Sequence, residues 1–177
     1  MGMRRSGPVR VTVVSTGGTI EKTYNELDGT LRNDRSVFDE IVGSLRLPDL
    51  FIRHVELMHK DSLDMTDGDR RLILEAVRRA APTSDAVIVL HGTDTLSVTG
   101  ELLVRELGDL EVPVILTGAM RPYEFRDSDA LQNVTEALLA ARLVEPGVYV
   151  VMHNRVLRFP GVEKDRATLT FRRVEGR

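Results

Sequence analysis

The stretch VTVVSTGGTIEKTY, residues 11–24, decides the fold. Its first part is a valine-rich apolar run of the kind found in strands covered on both faces. The run ends at Gly17 and Gly18, where missing side chains let the backbone turn tightly and come close to a ligand. Thr19 follows at once. A small hydroxyl in that place is either a turn residue or a chemical tool, and the rest of the chain must choose between the two.

Working outward, apolar runs bounded by turn residues alternate with segments of helical period. The pattern predicts strands over 10–15, 51–57, 86–90, 114–117 and 148–152, and helices over 36–45, 66–80, 96–106 and 128–142. Thr66 and Asp67 are the expected cap of the second helix. Past Val151 the pattern weakens, and irregular structure with short strands is expected. Strands alternating with helices imply an α/β fold with a mainly parallel sheet. At 177 residues, with no repeat and no linker, the chain is expected to form one domain over 1–177.

Composition narrows the function. A net charge of -3 offers nothing to nucleic acid or to an anionic membrane. No long apolar segment is present to span a bilayer. The basic start, with Arg4 and Arg5, runs into too short an apolar stretch for a signal peptide, so a cytoplasmic location is expected. The absence of cysteine removes disulfides, thiolate metal sites and a cysteine nucleophile.

In an open α/β sheet, ligands bind beyond the carboxyl ends of the strands. The segments there are TGGTIEKTY, HKDSLDM, HGTDTL and TGAMRP, all polar or glycine-bearing. Together they suggest a pocket for a small polar molecule. Neither G-x-G-x-x-G nor the phosphate-loop pattern occurs, and Glu21 is the sole early acid where a phosphoacceptor domain would need a cluster. His54, His59, His91 and His153 lack the short spacing of a metal site. No metal or cofactor is expected, and His91 is read as a structural imidazole bonded to backbone.

Hydroxyl chemistry is what remains. A threonine nucleophile needs a proton relay and a site for the developing oxyanion. Asp94 adjoins Thr93, Tyr24 follows Thr19, and Lys164 stands in the polar tail. On these residues alone, Lys164 is either a base beside a carboxylate or a solvated surface charge.

TGGTI, HGTDTL, PVILTGAMRP and GVEKDRATLTF, in this order and spacing, resemble the amino-terminal domain of bacterial L-asparaginases from about Val11 to Phe171. The resemblance implies a three-layer, flavodoxin-like or Rossmann-like domain that hydrolyses L-asparagine to L-aspartate and ammonia. It implies that Thr19 is the nucleophile and that Thr93, Asp94 and Lys164 form the second catalytic group, with Tyr24 as a loop tyrosine near the nucleophile. Ser62 matches a residue that binds the substrate α-carboxylate, and Asp94 also matches the group that holds the α-amino cation. Gly18 and Gly92 are expected at the substrate, with their backbone and that of Thr93 serving the oxyanion. Leu63 is also expected at the substrate, where many relatives carry glutamine or serine, a departure that bears on how the carboxylate is held or how asparagine is told from glutamine.

Family members usually continue into a second domain, so this chain resembles a short, single-domain type. A homo-oligomer, dimer or tetramer, is the expected way to complete the pocket. Two other readings stay open. One is an amidohydrolase acting mainly on glutamine or a related amide, as in the transfer-RNA-dependent amidotransferases. The other is a catalytically inactive amino-acid-binding module.

Overall fold

The computed structural model describes residues 7–174, so Arg4 and Arg5 lie outside it. In chain order the elements are β1 (Val9–Gly17), β2 (Thr23–Asn25), β3 (Thr30–Arg32), α1 (Phe38–Gly43), β4 (Leu50–Lys60), α2 (Asp67–Ala80) and β5 (Ala86–Leu90). Then come α3 (Leu96–Leu107), β6 (Pro113–Thr117), α4 (Ala130–Leu143), β7 (Gly147–Met152), β8 (Arg155–Arg158), β9 (Val162–Asp165) and β10 (Thr170–Arg173).

Six strands form one sheet in the order β4-β1-β5-β6-β7-β8. The first five run parallel and β8 is antiparallel at the edge. Along β5, Ala86, Ile88 and Leu90 pack on one face, with Phe38 and Ile41 of α1 and Val134, Ala137 and Leu138 of α4. Val87 and Val89 pack on the other, with Ile73 and Val77 of α2 and Leu103 of α3. Burial on both faces is why these strands read as continuous apolar runs instead of alternating ones. The result is the expected three-layer α/β fold with a mainly parallel sheet.

Local chemistry moves the element ends. At α2 the expected cap holds: the Thr66 hydroxyl accepts from Asp69 N–H at 3.2 Å, and Asp69 Oδ2 accepts from Thr66 N–H at 2.8 Å, a reciprocal capping box. The first helix is shorter than predicted because Ser36 and Val37 stay outside it, the Ser36 hydroxyl accepting from Phe38 N–H at 3.2 Å. The last begins at Ala130, because Asp129 turns its carboxylate back to the N–H groups of Met120 and Arg121. The β2–β3 hairpin was not predicted. Its strands are three residues each and largely exposed, so they carry no apolar pattern. The tail forms the short strands β8, β9 and β10.

The five parallel strands have the spatial order 2-1-3-4-5. The chain crosses one way from β1 to β4 and the other way to β5, so a crevice is expected at the carboxyl ends of β1 and β5.

Candidate active site

Three loops meet at that crevice through their smallest residues. Gly18 has φ 85 and ψ -178, a backbone conformation that side chains do not tolerate. A Cβ on it would lie 2.5 Å from the Gly92 backbone, and one on Gly92 would lie 2.7 Å from the Ser62 side chain. The turns after β1, β5 and β4 are therefore stacked directly on one another, which no larger residue at these positions would permit. Thr19 and Thr93, each the next residue in the chain, flank the Gly18–Gly92 contact.

Thr19 opens the 3-10 turn Thr19–Glu21 and is half-buried. The Gly18 N–H donates to the Lys60 carbonyl at 2.8 Å, anchoring the turn to β4. Thr93 is buried, and its hydroxyl donates to Met120 Sδ at 3.6 Å. Lys164 reaches over from β9, donating to Thr93 Oγ1 at 2.8 Å and to Asp94 Oδ1 at 2.9 Å. Its side chain is 12% exposed, so the solvated-surface alternative is set aside. Arg166 lies 3.6 Å from the same Asp94 oxygen.

A second ion pair joins the neighbouring loops, Lys22 Nζ to Asp61 Oδ2 at 2.8 Å. The Lys22 bond, followed by the Leu63 N–H and the charges of Lys22 and Lys164, holds the Asp61 carboxyl below its ordinary range against the opposing effect of burial. The crevice thus carries paired charges of both signs, suited to a zwitterionic ligand. Ser62 is buried, its hydroxyl accepting from Thr95 N–H at 3.3 Å, and Leu63 is exposed. Tyr24 stands apart: it is 57% exposed, with its hydroxyl over Gly29 of its own hairpin and its N–H on Glu124. Thr93, Asp94 and Lys164 are brought together, Gly18, Gly92 and Ser62 form the wall beneath, and Tyr24 remains at the rim.

His91 lies under this wall with both nitrogens used, Nδ1 on the Gly92 carbonyl at 2.7 Å and Nε2 on the Thr99 hydroxyl at 2.8 Å. Complete burial pushes its pKa down to about 4, the Gly92 bond opposing and the Arg70 charge assisting. The unfolded chain therefore takes up this proton near pH 6.5 and the folded chain only near 4, so His91 costs stability as pH falls through that range. The stability difference between wild type and His91→Gln, read by urea unfolding, is expected to shift against wild type by up to about 3 kcal/mol from pH 7 to pH 4.

Two features escaped the sequence reading. The Asp129 carboxylate, besides the Met120 and Arg121 N–H groups, meets His153 Nε2 at 2.7 Å and Asn133 Nδ2 at 2.9 Å, fixing the loop that carries Met120. Burial raises its pKa, yet these bonds together hold it below the usual carboxylate range. The other is Glu21, fully buried beside Thr19. Its signal was an acid only two residues from the candidate nucleophile. Among the described residues, no group of three His, Cys, Asp or Glu side chains is placed to hold a metal ion, and no helix is long and apolar enough to cross a membrane.

The chain matches the family model described as "Asparaginase, N-terminal" over residues 10–173. It is 30% identical over 156 residues to the L-asparaginase of Thermococcus kodakarensis, covering 88% of this chain and 48% of that protein. The solved structure of the thermostable L-asparaginase from that organism superposes with a TM-score of 0.85 at 29% identity, over 95% of this chain and 52% of that one. L-asparaginase 1 of Escherichia coli is 34% identical over 155 residues, covering 84% of this chain and 45% of that protein. A glutamyl-tRNA(Gln) amidotransferase subunit of Methanococcus vannielii is 30% identical over 148 residues, covering 82% of this chain and 34% of that protein. The chain spans about half the length of the L-asparaginases it matches and about a third of the amidotransferase subunit. By these matches it belongs to the asparaginase family, through the family's amino-terminal domain.

Proposed function

We propose that the chain hydrolyses L-asparagine to L-aspartate and ammonia through an acyl-enzyme on Thr19. The observation that carries the reading is Lys164 Nζ, held 2.8 Å from Thr93 Oγ1 and 2.9 Å from Asp94 Oδ1 beside the Gly18–Gly92 contact. Binding alone would not require a largely shielded lysine on a threonine hydroxyl, which favours an enzyme over an inactive amino-acid-binding module.

In the first step the Thr19 oxygen bonds to the side-chain amide carbon while its proton passes to the leaving nitrogen, and ammonia departs. In the second step water attacks the ester and restores the Thr19 hydroxyl. Thr93 and Lys164 manage the proton drawn from that water, with Asp94 keeping the lysine in place. Since the Gly18 N–H is spent on Lys60, oxyanion stabilisation falls to the Thr19 and Thr93 N–H groups. Asp94 takes the substrate α-amino cation. Ser62 accepts from Thr95 and keeps its own hydroxyl proton, which it gives to the α-carboxylate. Tyr24 must swing in from the rim to reach Thr19. The active form is a cytoplasmic homo-oligomer, dimer or tetramer.

Similarity to an amidotransferase subunit supports a second reading, in which glutamine or a related amide is the main substrate. Ammonia release by the purified chain is expected with L-asparagine and to be at least about tenfold slower with L-glutamine at equal concentration. A reversed ratio would move the assignment to the second reading. Binding of both amides in titration calorimetry, with no ammonia released from either, would sink both.

A further inference from the structure

The turn that carries Thr19 is held from beneath by a carboxyl group that the reaction above leaves unused. Glu21 has no exposed surface. Its Oε2 accepts the Gly17 N–H at 2.9 Å, and its Oε1 accepts the Ser36 hydroxyl. Gly17 lies where β1 loses register with β4, pairing jumping from Ser15–Glu56 to Gly17–Lys60. At this irregular point the Gly17 N–H is directed to Glu21.

Ser36 extends the network. Its Oγ lies 3.5 Å from His54 Nε2, which is 2.9 Å from the Ser15 hydroxyl. Polar contacts therefore close a ring under Thr19, from β1 through Glu21 and the start of α1 to β4 and back. Burying a carboxyl group is unfavourable unless its oxygens are bonded, and here each oxygen is matched to a donor whose place fixes the turn. An aliphatic side chain would fill the same space but leave the Gly17 N–H without an acceptor.

We propose that Glu21 is a positioning residue for Thr19, its buried carboxyl group clamping the Gly17 N–H and the Ser36 hydroxyl so that the turn presents the Thr19 hydroxyl to substrate. The role rests on the proposed reaction at Thr19. The clamp is also titratable. Burial pushes the Glu21 pKa up to about 7, with Glu56 adding to the rise and the Ser36 and Gly17 bonds opposing it. The other ionisable groups around it are His54 and Glu56 on β4 and Asp39 on α1, Asp39 lying 3.1 Å from His54 Nδ1. Lys22, next in the chain, is turned to Asp61.

Near neutral pH, close to this pKa, both forms of the carboxyl are populated, and Glu21→Gln imitates the protonated one. That variant retains an acceptor for Gly17 and a polar group for Ser36. It is expected to keep kcat within about threefold of wild type. Glu21→Ala is expected to lose at least about tenfold in kcat with KM changed less than about threefold. Ser36→Ala, which leaves the turn's own residues intact, keeps the test open if Glu21→Ala does not fold. It is expected to lower kcat severalfold.

Linkage gives a readout independent of turnover. The folded chain holds the Glu21 proton up to about pH 7, whereas the unfolded chain releases it near 4.5, so this group's contribution to stability falls as pH rises between those values. Glu21→Gln lacks the proton, and its melting temperature should gain about 5 °C or more on wild type between about pH 4.5 and pH 7.5. His91 has the opposite dependence but is common to both proteins, so it cancels. Amide exchange at Gly17 should be faster in Glu21→Ala than in Glu21→Gln. Full kcat in a folded Glu21→Ala overturns the proposal, and so does an equal loss in Glu21→Ala and Glu21→Gln. If wild type releases no ammonia from either amide, the reaction at Thr19 fails first. The Gly17 exchange and the melting shift then still report whether the clamp exists.

Discussion

Thr19→Ala is expected to lower kcat for ammonia release at least about a hundredfold with little change in folding. Thr19 is half-buried at the first position of a short turn, and no hydrogen bond to a described residue ties down its hydroxyl. The turn's anchors lie elsewhere: Gly18 N–H on Lys60, Gly17 N–H on Glu21, and Tyr123 N–H on the carbonyl of the buried Ile20. Removing the hydroxyl therefore removes a reactive group and little packing. Urea unfolding should move by less than about 1 kcal/mol. Thr19→Ser keeps a hydroxyl and should recover a measurable part of the rate. A Thr19→Ala protein retaining more than a tenth of wild-type kcat would transfer the nucleophile's role to another group, with Thr93, bonded to Lys164, the first candidate.

Lys164→Met should also cost at least about a hundredfold in kcat, and it should reduce stability as well. The lysine nitrogen is the hydrogen-bond partner of both Thr93 and Asp94, and it sits in a part of the crevice with little solvent. Methionine fills much of the same space but donates nothing. Asp94 is left with Arg166 at 3.6 Å, an exposed side chain that makes no hydrogen bond to Thr93. Because Asp94 is only 29% exposed, losing its main cation is expected to destabilise the fold by roughly 1 to 2 kcal/mol, discounted for its contact with water. Lys164→Arg preserves charge without the compact single nitrogen, so it should rescue stability much better than rate. Equal rescue of both would reduce Lys164 to a structural ion pair.

The two residues reach the same place by different routes, and only one route is visible in sequence. Thr19 is contiguous with its glycines, and the strand before it is announced by its valines, so its position at a strand end is legible locally. Lys164 lies 71 residues beyond Thr93, within a tail of weak periodicity. Its place depends on β9 pairing with β10 beside the sheet, and strands of four residues are too short to show a clear pattern. The family motif GVEKDRATLTF supplied what the physics of the segment did not.

The sequence by itself determined the layered α/β fold, because strands buried on both faces must be apolar throughout and helices buried on one face must follow a helical period. It also determined which strand ends carry glycine and hydroxyl groups. Tertiary structure alone decided that Gly18, Gly92 and Ser62 stack, that Lys164 bridges Thr93 and Asp94, and that Glu21 turns inward to hold Gly17 while Lys22 turns to Asp61. Periodicity reports which face of an element is buried. The partner and ionisation of a lone charged residue in a turn depend on groups contributed by other elements, and those meet only when the sheet has formed.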